Sequence, residues 1–89
     1  MNNNRRKEIN KAIDLLTSAK EAWEEAAAII ESCADEEREY YDNMPESLQG
    51  SDKGLGAEAA AELLEGVKDK MQEIDIDDMI SDLDDSTNQ

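Results

Sequence analysis

The chain has 89 residues, of which 24 are acidic and 9 basic, with a formal net charge of −15, one Cys, one Trp, two Tyr and neither His nor Phe. A chain of this length makes one domain with a modest core, and its charge repels nucleic acid and anionic lipid while attracting basic protein surfaces. A single Cys closes no intramolecular disulfide, no apolar run approaches the ~20 residues that span a bilayer, and Met-Asn-Asn-Asn-Arg-Arg-Lys lacks the apolar core of a signal peptide. A soluble, cytoplasmic protein with no membrane association is expected.

The charge is unevenly placed. Residues 1 to 20 carry Arg5, Arg6, Lys7, Lys11 and Lys20 against Glu8 and Asp14, a net of +3, whereas residues 21 to 89 carry 4 basic against 22 acidic groups, a net of −18, and the two sum to −15. From about Arg5 a heptad pattern runs to Asp42, a helix of roughly 57 Å at ~1.5 Å per residue, with Asn2 to Asn4 as candidate caps. Ile9, Leu16, Trp23, Ile30, Glu37 and Met44 form one seam position, and Ala12, Ala19, Ala26, Cys33 and Tyr40 the other, which suits close antiparallel pairing. Cys33 is then expected as a small buried thiol. Ile13, Leu15, Ala22, Ala27, Ile29, Ala34 and Tyr41 widen the apolar stripe beyond what one neighbour needs. The outward positions hold Glu21, Glu24, Glu25, Glu31, Asp35, Glu36, Glu39 and Asp42, which read either as a solvated face or as a surface that imitates nucleic-acid phosphates.

At the centre, Asn43 is suited to the left-handed conformation that closes a helix, and Pro45 prevents continuation. The turn spans 43–51, with Met44 and Leu48 as apolar anchors and Ser51 or Asp52 as the next N-cap. A second helix is predicted over 52–74, with Ala57, Ala60, Leu64, Val67, Met71 and Ile74 on its seam and Leu63 widening it. Gly54 and Gly56 weaken its first turn by about 1 kcal/mol each, so that turn is expected to fray, and Gly66 is read as a place of close backbone approach.

A hairpin pivoting at 43–51 leaves Ile9, Ala12, Ile13 and Leu16 uncovered. A second copy, another protein or the C-terminal segment must cover them, and the preferred solution is a homodimer in which two N-terminal halves pair. The acidic amphipathic segment 75–85 is another, because Ile76, Met79, Ile80 and Leu83 share a helical face and Asp75 caps it. Packed back, it brings its carboxylates towards Arg5, Arg6, Lys7 and Lys11; unpacked, it is a tail that folds on a partner. Residues 86–89 are expected to be disordered. The fold class expected is all-α: an antiparallel, coiled-coil-like helical hairpin in one domain, with a short acidic C-terminal helix, dimerising into a bundle.

Catalysis is not expected, because there is no His, no Gly-rich phosphate loop and no nucleophile with a base at useful spacing. No cofactor is implied. A calcium loop starting at Asp75, Asp77 and Met79 fails for want of the loop glycine and of an oxygen ligand at Met79, so no metal site is expected either.

The segment Glu36-Glu37-Arg38-Glu39-Tyr40-Tyr41-Asp42-Asn43-Met44-Pro45-Glu46-Ser47-Leu48-Gln49-Gly50-Ser51-Asp52-Lys53-Gly54 resembles a helix-turn-helix-hairpin motif of small acidic proteins encoded by bacteriophages and prophages. The resemblance covers about one fifth of the chain; past Gly54, Ala-Glu-Ala-Ala-Ala-Glu-Leu-Leu-Glu-Gly-Val matches only part of the Leu-Glu-Glu-Ala-Ile repeats usual in such proteins. It implies a phage genome, residence in the cytoplasm of an infected or lysogenic bacterium, and a helix–turn–helix arrangement, with no catalytic residues to carry over.

Two functions follow as expectations. The first is an anti-CRISPR-like inhibitor that binds a basic, nucleic-acid-binding host effector through Glu24, Glu25, Glu31, Asp35, Glu39 and Asp42 together with Asp77, Asp78, Asp82, Asp84 and Asp85, without binding nucleic acid itself; Ile9, Ile13, Leu16, Trp23, Ile30, Leu64 and Met71 form its core or dimer contact. The second is a phage coiled-coil adaptor that binds through its apolar stripes, the acids serving only solubility.

Overall fold

A computed structural model describes all residues from Met1 to Gln89. The chain is all-α, with helices α1 (Asn3–Asp42), α2 (Glu46–Gln49), α3 (Asp52–Gln72) and α4 (Ile76–Thr87) and no strand. No helix is long and apolar enough to cross a membrane. Its contacts divide the chain into two compact units, Met1–Glu25 with Ile74–Gln89, and Ala26–Glu73. One helix supplies both because α1 is about twice as long as α3.

In Ala26–Glu73, α1 and α3 run antiparallel. Their contact is made by small side chains: Ala34 and Ala61 are 1% and 0% exposed, with Ala57 and Gly54 also buried. Methyl-sized groups let two helix backbones approach closely. Pro45 starts α2, and the α1 terminus is closed by the Asn43 amide on the Glu39 carbonyl at 2.9 Å and the Met44 amide on the Tyr41 carbonyl at 3.1 Å. No non-glycine residue has a positive φ, so Asn43 does not take the left-handed conformation expected of it; the Gln49 amide group does that work instead, donating to the Tyr41 and Met44 carbonyls at 3.2 and 3.4 Å. Met44 is half-buried as an anchor, but Leu48 is exposed.

The start of α3 is not the weak turn its glycines suggested. Ser51 caps it, its hydroxyl oxygen accepting from the Gly54 amide at 3.3 Å, and a Cβ at Gly54 would run into the Leu48 and Gln49 carbonyl oxygens. Gly54 is therefore the residue that lets α2 fold onto α3. Gly66 is the reverse case, since open space surrounds the position its Cβ would occupy, and it marks no close approach.

In Met1–Glu25 with Ile74–Gln89, α4 runs antiparallel to the start of α1. The Lys20 ammonium meets Asp77 near the start of α4 at 2.7 Å. At the other end, Arg6 donates from Nε to the Thr87 carbonyl at 3.0 Å and from Nη2 to the Gln89 carbonyl at 2.8 Å, satisfying carbonyls that the helix itself leaves free and placing a cation at its negative end. Asp75 caps α4 as anticipated, accepting from the Asp78 amide at 3.0 Å. Ile9, Ile13, Leu16 and Trp23 on α1 and Ile76, Ile80 and Leu83 on α4 are all half-buried. The fold-back thus supplies the cover that the N-terminal half of α1 lacked, and it removes the reason for pairing two such halves. The helix runs to Thr87, two residues past the predicted end of the acidic segment, and the Gln89 carbonyl accepts from Arg6. The electrostatic match is made by Arg6 and Lys20 alone, since Arg5, Lys7 and Lys11 form no ion pair.

The seam of α1 is displaced by one residue from its expected second position. Ile13, Lys20, Ala27, Ala34 and Tyr41 are the residues withdrawn from solvent, while Ala12, Ala19, Ala26, Cys33 and Tyr40 are exposed. Cys33 is therefore an exposed thiol rather than a buried one. Lys20 is tolerated on the seam because its charge is paired with Asp77 while its aliphatic stem packs.

Candidate functional site

Two cross-helix contacts fix the sides of the α1–α3 hairpin. On one side, Arg38 Nη2 donates to Glu65 Oε1 at 2.6 Å. Residues three and four apart share a helical face, so Arg38 lies in a row with Glu31, Asp35 and Asp42, and Glu65 in a row with Glu58, Glu62 and Asp69. On the other side, the Lys53 ammonium lies 5.8 Å from the centre of the Tyr40 ring, a cation–π distance. By the same periodicity Tyr40 shares its face with Ala26, Ile29 and Cys33, and with Glu36 and Glu37 as its only acids, while Lys53 shares its face with Ala60, Leu63 and Val67. The alanine seam separates them. This hairpin has an acidic side and an apolar side.

The acidic side carries six carboxylates besides Glu65, with Arg38 the only cation in its rows, and that cation is already engaged. Proximity to Glu65, to which it donates, raises the Arg38 pKa further above its ordinary value. The Tyr41 pKa is raised, first by the neighbouring Glu58 carboxylate, which favours the protonated phenol, and then by burial. Glu31, Asp35, Glu39, Asp42, Glu62 and Asp69 are exposed and form no ion pair. In water such groups repel one another, and a basic surface brought against them would relieve that repulsion.

The unit containing α4 carries its own acids. Asp78, Asp82 and Asp85 recur at spacings of four and three, turned from Ile76, Ile80 and Leu83, whereas Asp77 and Asp84 flank Ile80 at spacings of three and four. Glu24 and Asp77 are less free than expected, being bound to Lys20 at 3.7 and 2.7 Å, and Glu25 is exposed.

All eleven predicted acids are at the surface, and Ile9, Ile13, Leu16, Trp23, Ile30, Leu64 and Met71 are all half-buried. Glu58, Glu62 and Asp69 were missed. Their spacing of four and seven was visible, but only the Arg38–Glu65 pair shows that this row of α3 joins the row of α1. No three His, Cys, Asp or Glu side chains converge to hold a metal ion.

The fold and surface define an all-α helical hairpin with its carboxylates gathered in rows. No protein-family model, curated protein or solved structure matches the chain.

Proposed function

We propose that the chain is a phage-encoded inhibitor that occupies the nucleic-acid-binding surface of a host defence nucleoprotein of the CRISPR-effector kind, its carboxylates standing in for phosphates. The observation that carries this is the paired rows Glu31, Asp35, Asp42 and Glu58, Glu62, Asp69 flanking one neutralised cation. Carboxylates four residues apart are ~6 Å apart along a helix, and two parallel rows approach the one charge per ~3.4 Å of a nucleic-acid strand. Lys- and Arg-lined channels bind such an array by the electrostatics that hold a backbone. The phage assignment rests on the resemblance of residues 36–54.

The test is inhibition of DNA binding by a panel of CRISPR effector ribonucleoproteins, measured across salt concentration. Combined Glu31→Lys, Asp35→Lys, Glu62→Lys and Asp69→Lys should abolish inhibition of a susceptible effector with helicity unchanged, and wild-type inhibition should weaken with salt. Inhibition that survives both sinks the mimic.

A second reading, the coiled-coil adaptor, is favoured by the exposure of Leu15 and Leu63, 66% and 72%. It predicts that Leu15→Lys or Leu63→Lys, rather than the acidic reversals, abolishes partner binding.

A further inference from the structure

The hairpin Ala26–Glu73 is built inside out. Its buried side chains are alanines, no large side chain anywhere in the chain is fully buried, and Ile29, Leu63, Tyr40 and Val67 are 59%, 72%, 46% and 42% exposed. They gather on the side marked by the Lys53–Tyr40 contact, with Ala26, Cys33 and Ala60 between them. Alanine contacts bury little apolar area and Ile30, Leu64 and Met71 are only half-buried, so much of the hydrophobic stabilisation available to this unit lies in side chains it leaves in water.

We propose that this apolar side is the contact of a homodimer, in which the two hairpins of a pair of chains close face to face into a four-helix bundle. Three observations choose a second copy over another partner. The first is area: from Ala26 to Tyr40 the face is ~21 Å long and two helices of ~10 Å wide, roughly 400–500 Å² a copy and about 800–1,000 Å² in total, the low end of specific interfaces and the size of a dimer that forms as concentration rises. The second is charge. Glu36 and Glu37 stand between Cys33 and Tyr40 on this face, but the paired carboxylate rows of the hairpin lie on the opposite side, so two copies meet through the less charged face and keep most of their acids apart; a partner drawn by the acids would dock on the other side. The third is shape, because large residues (Ile29, Leu63, Val67) alternate with small ones (Ala26, Cys33, Ala60), and a twofold axis lets each chain's knobs enter the other's gaps. Tyr40 and Lys53 stand at the edge, where a ring and an ammonium tolerate partial hydration.

The inference is independent of the partner proposed above, because it is read from mass alone. Analytical ultracentrifugation from micromolar to millimolar protein should show the mass rise from the chain mass of 9.9 kDa towards twice that value. Combined Ile29→Lys and Leu63→Lys should yield a monomer with unchanged helicity, and Ile13→Ala, on the seam covered by α4, should leave the dimer intact. A readout without substitution is the rate at which Cys33 reacts with a thiol reagent, which should fall as concentration rises and the face closes. A wild-type monomer at every concentration, a dimer that persists in the double variant, or a Cys33 rate independent of concentration each overturns the proposal.

Discussion

The two units solve the same problem, covering part of α1 with an antiparallel helix, by different means. In Ala26–Glu73, Ala34, Ala57, Ala61 and Gly54 hold the helices at short range, so tolerance to added volume is small. In Met1–Glu25 with Ile74–Gln89, half-buried Ile9, Ile13, Leu16, Ile80 and Leu83 make the contact, with Arg6 and Lys20 holding the two ends of α4. A seam of small residues is fixed chiefly by sterics; one with cations at its ends depends more on charge. Each unit should therefore fail under a different insult.

The largest effect is expected from Gly54→Ala or Ala61→Leu. Each forces atoms into occupied space, and overpacking costs about 1–3 kcal/mol, which for a chain of this size lowers Tm by about 4–8 °C per kcal/mol. Thermal unfolding followed by circular dichroism measures it; an unchanged Tm would show that the hairpin is not closed by small residues. Next is Asp75→Ala, which removes the α4 cap and about 1 kcal/mol. Amide exchange should quicken in α4 while α3 keeps its protection, and equal loss in both would dissolve the distinction between the units.

Gly66→Ala runs the other way. Its Cβ meets nothing, so about 0.5–1 kcal/mol of stabilisation is expected from helix propensity alone, in contrast to the loss at Gly54 in the same helix.

The smallest effect is alkaline. Lys20 donates to Asp77 and lies near Glu24, which holds its pKa above the ordinary 10.5. A raised folded-state pKa gives stability that is complete below 10.5 and is lost as pH rises through the folded value. Tyr41, raised above 10.0 chiefly by the neighbouring Glu58 carboxylate, has the same sign, because the unfolded phenol loses its proton first. The urea midpoint should fall above these values; Lys20→Met should remove one part of the slope and Tyr41→Phe the other, and a slope unchanged in both variants would remove these two contacts as its source.

The helical hairpin was legible because heptad spacing, Pro45 and the Ser51 cap agree locally. The seam was legible only in part. Ile9, Leu16, Trp23 and Ile30 are correctly placed, but each heptad offers apolar or small residues at two adjacent positions, such as Ala12 with Ile13 and Cys33 with Ala34. A stripe that wide accepts a partner on either edge, and nothing in a single helix says which. Lys20 made the true edge look unsuitable, since the carboxylate that admits it, Asp77, lies far along the chain. The acids of α1 and α4 could be named one by one; those of α3 could not be joined to them until Arg38 was seen to reach Glu65.

The sequence by itself determined that this protein is helical, that α1 stops before Pro45, that Ser51 and Asp75 cap α3 and α4, and that its field is acidic, because these depend on neighbours within a few residues and on summed charge. Only the tertiary structure decided which edge of α1 faces inward, that α4 returns to the start of α1, that Gly54 is a contact and Gly66 is not, and that the hairpin has one acidic and one apolar side. Each of these depends on a residue distant in the chain, and helical periodicity fixes a residue's angle about its own axis without fixing what stands opposite.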